Sequence, residues 1–454
     1  MSINAPMEPG QIKRSKETKH RSQNVNTNRF VFSSSRTPKL THYAFRYPAK
    51  FHLPVLRDLI RRYSRIGDTC LDPFNGAGTL VVEAVANDRN AIGLDVDPLA
   101  VFVSRVKSTR LSPSVIDKHT HELLQKIQKR FSDDKLLQKN ILNDIDERAY
   151  VRRLKAEDLE PPPIPKLDHW FRKSVIVQLA RIKSLVDSMD VDEDVRNFFL
   201  LCFASIIRKC SNADPVPVSG LEVTSYMRQK EAEGRAIDVE RIMIQTIQNC
   251  LVGAKEYFES TNPDTTVVNE IFDARNLADS EFYAEVVITS PPYQNAVDYY
   301  RRHQLEMFWL GLVSSTFERQ QLIPNYLGRT GVAKKYLPLS STEVGTVGSS
   351  WMQQIEETSH RRAMDFFHYY CGMHDFFTGV ATLLKTGSLL VMVVGNNTIF
   401  GREYDTVELL RELSVEHFEV GETFWYPVRN RYMSYERRNG ANIDQEYILV
   451  MRKR

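Results

Sequence analysis

The stretch from residue 67 to 107 constrains the fold of this chain more than any other. It reads GDTCLDPFNGAGTLVVEAVANDRNAIGLDVDPLAVFVSRVK. A short strand pattern over 69–71 leads into a glycine-containing turn, a helical pattern covers 80–86, and a second strand pattern follows at 91–94. Strands that alternate with helices in this way predict a parallel β-α-β unit.

The second half of the chain repeats this alternation. Short β-branched runs over 265–274, 284–290 and 387–396 are separated by helical stretches, and a last run follows a Gly-Asn-rich turn at 445–453. We therefore predict an α/β fold with a doubly wound, mostly parallel sheet. The final run, at the end of a hairpin, predicts an antiparallel edge strand.

Between residues 111 and 264 the strand signals give way to charged helical segments, which predicts an inserted helical subdomain. We expect a disordered basic tail over 1–28, a cofactor-binding half over 29–110, the insertion over 111–264, and a catalytic half over 265–454. The tail lacks the apolar region of a secretory signal, and the five cysteines are scattered without a CxxC pair. We expect a cytoplasmic protein without a membrane span.

The turn at 71–79, LDPFNGAGT, predicts a nucleoside-binding site. Gly76 and Gly78 let the backbone approach a ligand, and Asp95 ends the next strand, where doubly wound folds place an acceptor for ribose hydroxyls. The P-loop pattern is absent, which disfavours a nucleoside triphosphate. Asp273 follows a third strand, where it either accepts from an adenine amino group or caps a helix.

A second motif, ITSPPYQNAVDYY, spans 288–300 and places two prolines directly after an apolar run. By itself TSPPY is typical of a strand end with a proline turn and a core tyrosine. Together with DPFNGAGT it resembles the paired signature of S-adenosylmethionine-dependent DNA methyltransferases that act on exocyclic amino groups. HYAFRYPAKFHLPVLRDLI, at 42–60, resembles the segment that holds the methionine end of the cofactor in this family.

The resemblance covers 42–107 and 266–454, and it implies a Rossmann-like class I methyltransferase that takes S-adenosylmethionine and double-stranded DNA. It assigns cofactor binding to Asp72, Pro73, Phe74, Asn75, Gly76, Gly78, Thr79, Asp95 and Asp273. It assigns catalysis to Ser290, Pro291, Pro292 and Tyr293. No metal is expected, because methyl transfer from a sulfonium needs none.

The chemistry of an exocyclic amine explains the second motif. The nitrogen lone pair is conjugated into the ring, so two acceptors aimed at the amino hydrogens are needed to free it, and the Ser290 hydroxyl and Pro291 carbonyl are the candidates. The prolines hold both acceptors stiffly because they fix φ. Tyr293 offers a flat face on which a flipped-out base can stack.

Serine at position 290 favours cytosine N4 within the family that the chain resembles, as in restriction-modification systems with a cognate endonuclease. Three alternatives stay open: adenine N6, guanine N2 in RNA, and a cofactor-binding adaptor without activity. Carbon-5 methylation is disfavoured because the chain contains no Pro-Cys pair.

Basic residues near the motifs are candidates for nucleic-acid contacts. They are Arg301, Arg302, Arg329, Lys334, Lys335, Arg429 and Arg431. The helix after the second motif also carries Tyr299 and His303, which could stack on bases; the alternative is an amphipathic helix that packs Leu305, Phe308 and Trp309 inside. Target recognition is expected from the helical insertion or from the loop at 327–350. The insertion separates the cofactor and catalytic halves, an order that differs from the better-known N4-cytosine enzymes.

Overall fold

The computed structural model describes residues 28–32, 39–48, 50–132, 144–215, 220–294, 299–331, 343–428 and 444–454. The predicted basic tail lies outside these ranges except for its last residue. Lys334, Lys335, Arg429 and Arg431, predicted to contact nucleic acid, also lie outside them.

An eight-stranded sheet forms the centre of the protein, in the order β1-β9-β10-β6-β5-β2-β3-β4, and β7 pairs with β8 in a separate hairpin. The strands are β1 Asn28–Arg29, β2 Thr69–Asp72, β3 Asn90–Asp95, β4 Val267–Ile271, β5 Val286–Thr289, β6 Leu389–Gly395, β7 Asn397–Ile399, β8 Arg402–Tyr404, β9 Phe418–Pro427 and β10 Gln445–Lys453. Neighbours from β4 to β6 pair in parallel, whereas β10 runs antiparallel to both β6 and β9. The predicted mostly parallel sheet with an antiparallel last strand is confirmed.

The position of the last strand differs from the prediction of an edge strand. β10 lies between β6 and β9, because β9 pairs along its outer side from Gln445 to Lys453. No strand was predicted at 418–427, so β10 was expected to have a neighbour on one side only. Ile448, Leu449 and Met451 are fully buried, as expected for an interior strand.

Helices cover both faces of the sheet. The described helices are α1 Leu53–Tyr63, α2 Thr79–Val85, α3 Pro98–Ser108, α4 Pro113–Ser132, α5 Glu147–Glu157, α6 Leu167–Trp170, α7 Lys173–Asp187, α8 Glu193–Cys210, α9 Ser225–Ala232, α10 Val239–Ser260, α11 Tyr299–Arg302, α12 Gln304–Trp309, α13 Thr316–Leu322, α14 Thr346–Glu356, α15 His360–Leu383 and α16 Thr406–Ser414. None of them is long and apolar enough to cross a membrane.

The alternation of β6 shows how the two faces are filled. Leu390 and Met392 pack into one core with residues of α15 and α16, while Val391 and Val393 pack into another with residues of α1 and α2. Successive side chains of a strand point to opposite faces, so a continuous apolar run is required where helices cover both. The sheet is therefore doubly wound.

Between α3 and β4 the described residues are helical, from α4 to α10, with no strand among them. These helices share one hydrophobic core with α3 and α12, through residues such as Val103, Phe203 and Met307. The helical segment therefore packs directly on the elements that flank both motifs. Its proposed boundaries at 111 and 264 stay a prediction.

A buried ionic cluster holds the segment at 40–48 against the helix that follows the glycine turn. Glu83 of α2 accepts from Arg57 at 2.5 and 2.8 Å and lies 2.6 Å from His42 Nε2. Burial raises the pKa of Glu83, but the hydrogen bonds of His42 and Arg57 outweigh it and leave that pKa below its ordinary value. Burial lowers the pKa of His42 to about 4, so Arg57 is the charged partner at neutral pH.

Replacing Glu83 by glutamine is expected to destabilise the protein by about 3 kcal/mol, because the buried Arg57 loses its counter-charge. Denaturant unfolding followed by circular dichroism measures this change. The matched control is Asp187→Asn, which removes the carboxylate of an exposed pair with Lys183 and should cost under about 1 kcal/mol. Equal losses in the two variants would contradict the structural role of the cluster.

Candidate active site

The glycine turn lies between the end of β2 and the start of α2. Gly76 and Gly78 have φ values of +52° and +72°, in the left-handed region that favours glycine. A Cβ atom on Gly78 would lie 2.2 Å from Ser104 Oγ and 2.9 Å from Ser104 Cα. Asn75 fixes the turn from within, since its backbone N–H donates to Leu94 O at 2.9 Å and its Nδ2 donates to Ser104 Oγ at 2.7 Å. The turn therefore packs directly on α3.

Asp95 ends β3 beside this turn, as the spacing predicts. Its Oδ2 accepts from Gly76 N at 2.8 Å and its Oδ1 accepts from Asp97 N at 2.9 Å. Burial and the neighbouring Asp97 raise the pKa of Asp95 to about 7. Each carboxylate oxygen has a second lone pair, so the half-buried group can still accept from a ligand hydroxyl.

Asp72 joins the two motifs. It is 3% exposed, and its Oδ1 accepts from Phe74 N at 3.0 Å and from Thr289 Oγ1 at 2.6 Å. Thr289 is the last residue of β5, which pairs in parallel with β2 and immediately precedes Ser290. Burial raises the pKa of Asp72 to about 7. Its side chain is thus turned toward the second motif within the protein interior.

The second motif leaves the sheet at the carboxyl end of β5. Ser290 and Tyr293 are half-buried, and the Tyr293 hydroxyl donates to Glu446 Oε1 at 3.3 Å. Gly328 lies against the backbone of the turn: a Cβ atom there would lie 2.5 Å from the Tyr293 carbonyl oxygen. The turn after β5 is therefore contacted at two points, by Glu446 at the Tyr293 hydroxyl and by Gly328 at the Tyr293 backbone.

Asp273 makes the helix-capping contacts expected for one of its two predicted roles. It accepts from Arg275 N at 3.0 Å and so begins the 3-10 helix Ala274–Asp279. The Arg275 guanidinium also donates to both of its oxygens. The role of Asp273 toward an adenine amino group stays a prediction.

Several residues that lie beside the glycine turn had a different predicted role, or none, in the sequence. Tyr47 lies against Gly76, where a Cβ atom would be 3.3 Å from its ring, and stacks on Tyr299 with ring centroids 5.6 Å apart. His303 Nδ1 lies 3.0 Å from Asp97 Oδ2, and Asp97 also caps α3. Tyr299 and His303, which follow the second motif, thus lie beside the glycine turn, in contact with Tyr47 and with the Asp97 cap of α3. The DVDP sequence, with an acid directly before a proline, was the available signal for this cap.

The basic candidates within the described ranges differ in exposure. Arg301 is exposed on α11, whereas Arg302 and Arg329 are 2% and 7% exposed. Burial, together with Arg208, lowers the pKa of Arg302 to about 10. These two side chains are buried, and their phosphate contacts stay a prediction.

The donor set fits S-adenosylmethionine. The ionisable Asp95 beside the glycine turn suits ribose hydroxyls. The ligand carries no phosphate, and the turn from residue 72 to 79 contains no cationic side chain. Lys107 is fully buried and donates to Ala77 O from behind the turn. The turn therefore presents its backbone, with the Asp95 carboxylate beside it, to a ligand, and none of its own side chains is cationic.

Comparisons with known proteins agree with this geometry. A model of a DNA methylase family matches residues 3–102. The chain is 22% identical to the Type II methyltransferase M.MvaI of Kocuria varians, over 90% of this chain and 89% of that protein. It is 20% identical to M.MjaII of Methanocaldococcus jannaschii, covering 60% of this chain and 63% of that one, and 25% identical to M.BsoBI of Geobacillus stearothermophilus, covering 60% and 53%.

A solved structure, TrmN from Thermus thermophilus, aligns over 89% of this chain and 49% of its own, with 9% identity and a TM-score of 0.31. That score is too low to add to the topology already described. The strand order, the glycine turn joined to TSPPY, the family model over residues 3–102 and the three relatives together support an S-adenosylmethionine-dependent DNA methyltransferase of the N4-cytosine and N6-adenine kind.

Proposed function

We propose that this protein is the modification enzyme of a restriction-modification system and methylates cytosine N4 in a short, specific DNA sequence. The observation that carries the proposal is the hydrogen bond from Thr289 to Asp72. It joins the glycine turn, which is the proposed cofactor turn, to the residue before Ser290. The three relatives are each named as Type II methyltransferases, which supports the modification role. Serine at position 290 supports cytosine.

Cofactor binding is proposed at the carboxyl ends of β2 and β3. Asp95 accepts from the ribose hydroxyls, and the backbone of the turn from Asp72 to Thr79 lies along the ligand, with Pro73, Phe74 and Asn75 shaping it. S-adenosylmethionine supplies a methyl group bonded to a positively charged sulfur. Ligands of doubly wound folds bind in this crevice, beyond the carboxyl ends of the strands.

The reaction needs a nucleophilic amine, because the lone pair of an exocyclic amino group is conjugated into the base. Ser290 Oγ and the Pro291 carbonyl accept from the two amino hydrogens, and Pro292 stiffens this turn. Tyr293 stacks on the flipped base. Bound S-adenosylmethionine would supply the methyl group and would keep the electron pair of the broken C–S bond on sulfur. Ser290 Oγ and the Pro291 carbonyl would hold the two amino hydrogens while nitrogen forms its bond to carbon, and one of these hydrogens would then leave as a proton to solvent.

DNA contacts are proposed on the side of the protein where the helical segment meets α11. Arg301 is exposed on this helix, and a Cβ atom on Gly220 would lie 3.6 Å from its side chain. The helical segment is thus adjacent to the helix that follows TSPPY. This adjacency supports the proposal that the segment reads the target sequence while Arg301 contacts a phosphate.

The decisive experiment incubates the protein with labelled S-adenosylmethionine and unmethylated plasmid DNA or RNA, digests the product to nucleosides, and identifies the methylated one by mass. N4-methylcytosine from DNA is the expected result. N6-methyladenine would instead assign the adenine alternative. Label found only in RNA, or transferred to neither polymer, would refute the DNA methyltransferase activity.

Ser290→Ala is expected to lower kcat about a hundredfold, because one of the two acceptors for the amino group is lost. The affinity for S-adenosylmethionine should not change, since Ser290 lies outside the cofactor turn. Single-turnover kinetics and calorimetric titration measure the two quantities. Ser280→Ala, whose hydroxyl donates to Leu277 O ahead of β5, is the control and should keep full activity. Full activity of Ser290→Ala would exclude the proposed role.

The affinity for S-adenosylmethionine is expected to rise about tenfold between pH 6 and pH 8, because Asp95, with a pKa of about 7, accepts best when ionised. Calorimetric titration without DNA measures this dependence. Asp95→Asn should bind about tenfold more weakly at pH 8 and lose most of the dependence. Any pH dependence of the affinity that remains in Asp95→Asn comes from titration of other groups, including the ligand itself. An unchanged pH profile in Asp95→Asn would contradict the assignment.

A further inference from the structure

Glu446 lies outside both motifs, yet the topology brings it to the carboxyl ends of the parallel strands, where the candidate active site lies. β10 is antiparallel, so its first residues lie where the parallel strands end. In the register of the sheet, Glu446 is opposite Gly395, the last residue of β6, on one side and opposite Tyr426 on the other. A carboxylate from the end of the chain thereby reaches the neighbourhood of TSPPY.

Two tyrosine hydroxyls share this carboxylate. Tyr293 donates to Glu446 Oε1 at 3.3 Å, and Tyr426 donates to Glu446 Oε2. Burial raises the pKa of Glu446, while the two hydroxyls lower it. The pKa of Tyr293 is raised well above its ordinary value by burial and by Glu446. Both tyrosines therefore stay neutral and act as donors.

The two tyrosines differ in their surroundings. Tyr426 belongs to β9, stacks on His52 at a centroid distance of 6.0 Å, and meets the edge of Phe32 at 6.1 Å. Tyr293 follows two prolines in a turn outside the sheet. Tyr426 is thus packed within the sheet, whereas Tyr293 is held by its hydroxyl bond to Glu446, by the neighbouring Ser290 side chain and by partial packing on the core of α15 and α16.

We propose that Glu446 is a positioning residue for the target base, because it fixes the plane of the Tyr293 ring on which that base stacks. The inference rests on the proposed function, since it concerns the same pocket. A base stacked on a mobile ring would hold its amino group out of line with the methyl group. Misplacement by about 1 Å can cost a hundredfold in rate, so the effect appears in kcat.

The experiment measures kcat, the KM for S-adenosylmethionine and the melting temperature on plasmid DNA for four variants: Glu446→Gln, Tyr293→Phe, Tyr426→Phe and the double variant Glu446→Gln/Tyr293→Phe. Glutamine cannot accept from both hydroxyls, because its amide nitrogen is only a donor. Glu446→Gln and Tyr293→Phe are each expected to lower kcat about tenfold with KM unchanged. The double variant should be no slower than either single one.

Tyr426→Phe is the matched control, since it removes the other hydroxyl from the same carboxylate without touching the motif. It should lower the melting temperature as much as Tyr293→Phe does but change kcat less than about threefold. A purely structural role for Glu446 predicts parallel losses in all variants, and additive losses in the double variant; either result would overturn the proposal.

The proposed function fails separately from this inference. A wild-type protein that methylates DNA, together with full kcat in Glu446→Gln, overturns the positioning role alone. A wild-type protein that methylates no DNA overturns both. Calorimetric binding of S-adenosylmethionine, expected to be equal in all the variants, shows that each of them is folded at the cofactor site.

Discussion

A buried carboxylate holds the two halves of this active site together. Asp72 is almost completely removed from solvent, and a carboxylate in such a position is costly unless its oxygens accept hydrogen bonds. It accepts one from Phe74, within its own turn, and one from Thr289, at the end of a different strand. Separation of the two strand ends would cost this buried acid its hydrogen bond from Thr289. The distance between the cofactor turn and Ser290 is therefore fixed by an energetic requirement of Asp72.

Much of this arrangement could be predicted because its causes are local. The glycine turn needs two residues with positive φ, and Asp95 follows at the spacing set by one helix and one strand. The continuous apolar runs of β6 and its neighbours predict strands covered on both faces. The doubly wound sheet follows from these short-range patterns, and the structure confirms it.

The remaining features depend on contacts between residues far apart in the sequence, which no local pattern encodes. β9 was missed, so the interior place of β10 was missed as well, and with it the approach of Glu446 to Tyr293. His303 meets Asp97 across 206 positions. Arg302 lies in a basic cluster that predicts a surface, but packing of α11 buries it. Sequence patterns show the type of each residue and its periodicity, whereas the burial of a side chain depends on which element packs against it.

The two acids that are hydrogen-bonded to the second motif also bear on why a serine is found at position 290. Thr289 links one side of the motif to Asp72, and Tyr293 links the other to Glu446; burial raises the pKa of both acids. An aspartate at position 290 would add a third carboxylate in this poorly solvated region, and like charges would oppose its ionisation. A serine hydroxyl accepts from an amino group without adding charge. The choice of residue is therefore constrained by the electrostatics of the pocket as well as by the target base.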